Sequence, residues 1–99
     1  MQEILRKYYK RILHRVKMKI YAYKGKHNIS GEKIRQARVI QRISQSDLAA
    51  KLQLEGVTIE RDSISRIENG SRFVTDYELL VFSRVLGVSI LFLLEDGIS

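Results

Sequence analysis

The chain has no cysteine and no proline, and only two histidines, His14 and His27, in 99 residues. Without cysteine there is no disulfide framework, no thiolate nucleophile and no Cys-based zinc site. Two histidines leave almost no material for a His-ligated metal or a His-based catalytic pair. The missing proline suits helices joined by short turns and argues against Pro-rich linkers. Long apolar runs are missing as well. None approaches the ~20 residues of a membrane span, and charge breaks the apolar residues near the start too often for a secretory signal. There is no Gly-rich phosphate loop and no clustered carboxylate site, so the expectation is a cytoplasmic protein that is not an enzyme, with no cofactor, metal or small-molecule ligand. At 44% hydrophobic and 29% charged, what is present has the composition of one small globular domain.

The net charge of +7 is unevenly placed. Residues 1–30 hold nine Lys or Arg against the single acid Glu3, whereas residues 31–99 hold nine bases against ten acids. The whole excess therefore lies in a basic arm, 1–30, preceding a near-neutral domain, 31–99. Nucleic acid or an anionic membrane surface is the natural partner of such an arm. Ile4, Leu5, Tyr8, Ile12, Leu13, Val16 and Ile20 recur at helical spacing, so the arm reads as an amphipathic helix. Met18–Tyr23 also alternates as a short strand does. The arm can pack on the domain or on a second protomer, lie on phosphates, sit at a membrane surface, or stay disordered on its own. The first two together are preferred, because nothing else in the chain calls for a bilayer.

From Gly31 onward the punctuation is that of short helices. Glu32–Gln41 places Ile34, Ala37 and Ile40 together. Ser44-Gln45-Ser46-Asp47 is a capping box ahead of Leu48, Ala49 and Leu52, with Gly56 as a stop. A third helix begins near Thr58–Glu60, turns Ile64 and Ile67 inward and ends at Asn69-Gly70. Thr75-Asp76-Tyr77-Glu78 is a second capping box, followed by Leu79, Leu80, Phe82, Val85 and Leu86, and Ser89 opens a last apolar turn over Ile90–Leu94. The fold class expected is all-α.

The stretches GEKIRQAR, SQSDLAAKL, ISRIENGSR and DYELLVFSRVLGVS, in this order between Gly31 and Gly97, resemble the Xre-type helix-turn-helix family of phage repressors and Cro-like proteins. The resemblance implies a five-helix, lambda-repressor-like domain that binds double-stranded DNA. Its third helix would enter the major groove while the second crosses the backbone. It implies that Gln45 contacts phosphate or base, and that Arg61, Asp62, Ser63, Ser65 and Arg66 form the reading face. Arg61 and Arg66 suit guanine, and Asp62 suits a cytosine amino group. Asn69, Ser71 and Arg72 would meet phosphates, with Lys7, Lys10, Arg11, Lys24 and Lys26 as auxiliary phosphate contacts. Arg38 and Glu68 become a structural pair between the first and third helices.

Three features depart from the family pattern. Six residues, Gln53–Thr58, separate Leu52 from Ile59 where about one is usual, which implies an extra half-turn of the second helix plus a loop. Glu60 replaces the usual Ser or Thr cap, leaving Thr58 as an alternative start for the reading helix. The segment Ser89–Glu95 is apolar where polar residues are common. A helix through Ile90–Leu94 carries apolar side chains all round, so Leu91, Phe92 and Leu94 are expected to form a homodimer interface that addresses a palindromic operator. Two other functions stay open: a protein-interaction module on the same fold, antitoxin-like or adaptor, and a membrane-surface protein acting through the arm.

Overall fold

The computed structural model describes residues 22–95. The helix read over 4–20 and the cations Lys7, Lys10 and Arg11 lie outside the described residues. Five helices are present: α1 (Gly31–Ile40), α2 (Gln45–Leu54), α3 (Arg61–Glu68), α4 (Asp76–Leu86) and α5 (Ile90–Leu93). No strand is formed among the described residues, so the domain is all-α.

Each start has a local cause. Ser44 and Thr75 close complete capping boxes with Asp47 and Glu78, and the Ser89 hydroxyl accepts the Phe92 N–H. α1 is capped from further back: Ser30 makes no side-chain bond there, and Asn28 Oδ1 accepts the Gly31 N–H at 2.7 Å. Glu60, not Thr58, occupies the cap position of α3, and its side chain makes no capping hydrogen bond. Thr58 cannot start the helix because buried Ile59 follows it in the loop that returns the chain to the core.

The ends follow one pattern. After α1, α2 and α3 the first left-handed residue donates to the carbonyl three back, and the next residue to the carbonyl five back: Arg42 and Ile43, Gly56 and Val57, Gly70 and Ser71. Gly70 sits at φ +85°, which glycine adopts without strain, whereas Arg42 holds the same role at +59° with a side chain to accommodate.

The core is one cluster. It holds Ile34 and Ala37 of α1, Leu48 and Leu52 of α2, Ile64 and Ile67 of α3, Val81, Phe82 and Leu86 of α4, and Leu93 of α5. α3 packs against α1 and α2, α4 against α1, α2 and α5, and α5 also against α1. The lengthened segment after Leu52 forms half a turn of helix and then folds inward, burying Val57 and Ile59. Two apolar residues of these helices lie outside it. Ile40 is 79% exposed, because six residues of helix after Ile34 bring it round by about 240°, off the buried stripe. Leu80 is 38% exposed; the stripe of α4 runs instead through Glu78, Val81, Phe82 and Leu86.

Residues 22–30 are folded onto the domain. Tyr23 and Lys26 exchange backbone hydrogen bonds of 2.7 and 2.9 Å across a two-residue turn, with Lys24 and Gly25 both at positive φ. The His27 N–H donates to the Gly70 carbonyl, and its ring lies 5.0 Å from that of Phe73. Asn28 Nδ2 donates to the carbonyls of Ile67 (3.0 Å) and Arg72 (2.7 Å). One side chain thus ties the start of α1 to the end of α3 and the loop beyond.

Candidate nucleic-acid interface

α3 has two unlike sides. Ile64 and Ile67 are fully buried, and they anchor the helix between α1 and α2. Arg61, Asp62, Ser65 and Arg66 are exposed, and their i, i+1, i+4, i+5 spacing puts them on the opposite face. Asn69 follows at the next turn of the same row and is exposed. Ser63 is half-buried at the edge, where its hydroxyl accepts from Arg66 Nη2 at 3.2 Å. The structure therefore brings together Arg61, Asp62, Ser65 and Arg66 as one surface, with Ser63 as a support for Arg66.

Beyond α3 the chain folds tightly. Asn69 Oδ1 accepts from the Ser71 N–H (3.0 Å) and hydroxyl (2.6 Å), and the Arg66 carbonyl accepts from the N–H groups of Ser71 and Arg72. Asn69 and Ser71 are exposed beside the outward face. Lys26 reaches the same place from the other side: its aliphatic stem lies over Gly70, and its ammonium is 3.9 Å from Glu32. Lys24, two residues earlier, sets its ammonium 5.3 Å from the Tyr23 ring centroid.

The cations fall into two groups. Arg38 donates from Nε and Nη2 to Glu68 at 2.7 and 2.9 Å, and from Nη1 to the Ile43 carbonyl at 2.9 Å. The hydrogen bonds to Glu68 hold its guanidinium pKa above the ordinary value. Arg72 is likewise engaged, although the resemblance implied a phosphate contact for it. Its two terminal nitrogens face the Glu78 carboxylate at 3.1 and 3.2 Å, and one of them also donates to the Phe73 carbonyl at 2.9 Å. Burial pushes the Glu78 carboxyl up, but the hydrogen bonds from Arg72 and the Thr75 N–H and the charge of Arg72 outweigh it and bring it below the usual value. Arg61 and Arg66, in contrast, make no ion pair among the described residues. Their charge is open to a polyanion.

Gln45, the first residue of α2, is half-buried, and its Nε2 donates to Glu68 Oε1 at 3.1 Å. In the last helix and its cap, Leu91 (79%) and Leu94 (42%) are exposed. Phe92 packs partly on the core, with the Lys33 ammonium 5.1 Å from its ring centroid. The apolar C-terminal surface is therefore carried by Leu91 and Leu94 rather than by all three residues. Two structural partnerships were not foreseen from the sequence, Asn28 with the end of α3 and Arg72 with Glu78. Their members stand 39 to 44 residues apart in the first case and across a loop in the second.

A capped helix crossing to a second helix with one buried and one polar, cation-bearing face defines a helix-turn-helix unit. The Helix-turn-helix family model of the Xre/Cro-like type matches residues 34–93, and the chain belongs to that family of DNA-binding domains. No curated protein and no solved structure matches the chain significantly. Among the described residues no helix is long and apolar enough to cross a membrane, and no cluster of His, Asp and Glu is arranged to hold a metal ion.

Proposed function

We propose that the protein is a repressor-like transcriptional regulator that binds double-stranded DNA with α3 in the major groove. The observation that carries this reading is the sorting of charge around α3. Arg38 and Arg72 are neutralised by Glu68 and Glu78, whereas Arg61 and Arg66 project from the exposed face and have no acidic partner among the described residues. An always-charged guanidinium left unpaired on a rigid helix suits bidentate contact with guanine N7 and O6. Asp62 and Ser65 supply an acceptor and a neutral donor–acceptor on the same surface, and Ser63 steadies Arg66. Asn69 and Ser71 form a phosphate-contacting loop, extended by Lys24 and Lys26, and Lys7, Lys10 and Arg11 supply auxiliary phosphate contacts. Arg72 acts in this scheme by holding the loop in shape. Leu91 and Leu94 form the centre of a two-fold interface, so that two reading helices address a palindromic operator.

The test is binding of the full chain to a random-sequence duplex and to a selected site at two salt concentrations. Binding that weakens steeply with salt, with a log–log slope of about −0.9 per phosphate neutralised, supports the reading. Arg66→Ala should cost about 1–3 kcal/mol and relax preference at one position of the selected site. Salt-insensitive or undetectable binding would overturn it and favour a protein-interaction role.

A further inference from the structure

Glu68 is the last residue of α3, and only 4% of its side chain is exposed. It lies three residues after Ser65 and seven after Arg61, so it borders the outward face on the side toward α2. Its carboxylate receives three donors: Arg38 Nε (2.7 Å), Arg38 Nη2 (2.9 Å) and Gln45 Nε2 (3.1 Å). A carboxylate paired with arginine accepts hydrogen bonds and cannot donate one. It therefore selects one of the two orientations of the Gln45 amide, the one with nitrogen inward. Among the described residues Gln45 Oε1 has no partner and no buried side-chain oxygen or nitrogen is left unpaired, so that oxygen opens outward at the edge of the α3 face.

We infer that Glu68, itself held by Arg38, is a positioning residue that presets the Gln45 amide for contact with DNA. This inference rests on the DNA-binding reading above. A free glutamine side chain loses rotamer freedom when it binds, and a bond made in advance removes part of that cost. The arrangement also joins α1, α2 and α3 at one carboxylate, so the distance from Gln45 to the reading face is set by the fold. Arg38 completes the device by offsetting the Glu68 charge, which would otherwise repel a nearby phosphate.

The test is a double-mutant cycle on affinity for a selected duplex, with each protein confirmed as folded by circular dichroism. Glu68→Gln leaves a single carbonyl oxygen for three donors, and the weakest held, Gln45, is released. It should weaken binding about 5-fold with Gln45 present and leave affinity within about 1.5-fold in the Gln45→Ala background, where there is no amide to preset. Equal loss in both backgrounds, or none in either, overturns the inference. A second measurement serves if Glu68→Gln does not fold. In the wild-type chain the Gln45 side-chain amide should give a heteronuclear NOE like that of the backbone, unlike Gln36 and Gln53, which are exposed, and its resonances should shift on adding the duplex. An amide as mobile as that of Gln53, or one unmoved by DNA, refutes it. If the wild type binds no DNA at all, the DNA reading fails, and the amide's rigidity in the free protein still reports on the network.

Discussion

Replacing Gly31 with alanine sets two known effects against each other. Gly31 is the first residue of α1 and is buried. On helix propensity alone, alanine there is worth up to about 1 kcal/mol over glycine, and the residue's φ is not one that disfavours a side chain. The packing points the other way. A Cβ at this position would overlap the Ile67 carbonyl oxygen and come within 2.9 Å of both the Ile67 carbonyl carbon and Asn28 Oδ1. Ordinary contact begins near 3.4 Å. None of these atoms is the free end of a flexible side chain: two are backbone of α3, and the third is engaged with Gly31 itself. Relief requires α1 and α3 to separate, which weakens the Asn28–Ile67 bond (3.0 Å) and pulls on the Arg38–Glu68 pair. Overpacking of about 3 kcal/mol plus one or two lost hydrogen bonds at about 1 kcal/mol each outweighs the propensity gain, for a net loss of about 3 kcal/mol. Urea unfolding followed by far-UV circular dichroism measures it. A variant as stable as the wild type, or more so, refutes the close approach of α1 to the end of α3.

Other perturbations separate the remaining parts of the account. Arg42→Gly should stabilise the fold by about 1 kcal/mol, because it relieves the left-handed strain at φ +59° without touching the hydrogen bonds that end α1; an unchanged or lowered thermal midpoint contradicts this. Arg72→Ala should cost about 3 kcal/mol of stability by leaving buried Glu78 without its cation, a loss visible in urea unfolding without any DNA present. Since the folded-state Glu78 carboxyl lies below its ordinary value of 4.5, its contribution is complete above that pH and disappears as pH falls through the lower folded value. The stability gap between wild type and Glu78→Gln should accordingly narrow below pH 4.5, and a gap independent of pH would be inconsistent with the pairing. Leu91→Asp should abolish the proposed homodimer in sedimentation equilibrium while leaving helical content intact, because Leu91 is exposed on the single chain; Phe92, half-buried against the core, is a poorer site for that test. A wild-type chain that stays monomeric at tens of micromolar, on the order of a weak dimer's dissociation constant, contradicts the dimer itself.

The starts of α2 and α4 and the stops of α2 and α3 are legible in the sequence because they are short-range chemistry. The boxes at Ser44–Asp47 and Thr75–Glu78, and the glycines at 56 and 70, carry their geometry within four residues. Periodicity is a coarser guide to burial: Ile40 and Leu80 are apolar and stand at helical spacing, yet fall off the buried stripe. The segment between Leu52 and Ile59 could be counted, but nothing in a non-helical loop shows that Val57 and Ile59 return to the core. Long-range polar ties were legible only where the family resemblance supplied them, as for Arg38 and Glu68. Asn28 reads locally as a turn or cap residue, yet its amide serves carbonyls 39 and 44 residues away. Glu78 reads as a capping-box acid already provided for, and nothing local announces Arg72 as its second partner.

On the proposed reading, the exposed face of α3 reads a duplex sequence. Selection of bound sites from a random duplex pool with the full chain tests it most directly. The account predicts enrichment of a palindromic site whose half-sites are about one helical turn apart, ~34 Å, with guanines at positions that lose their preference when Arg61 or Arg66 is replaced by alanine. A pool that emerges with no enriched sequence, or one whose preferences are untouched by both substitutions, contradicts it.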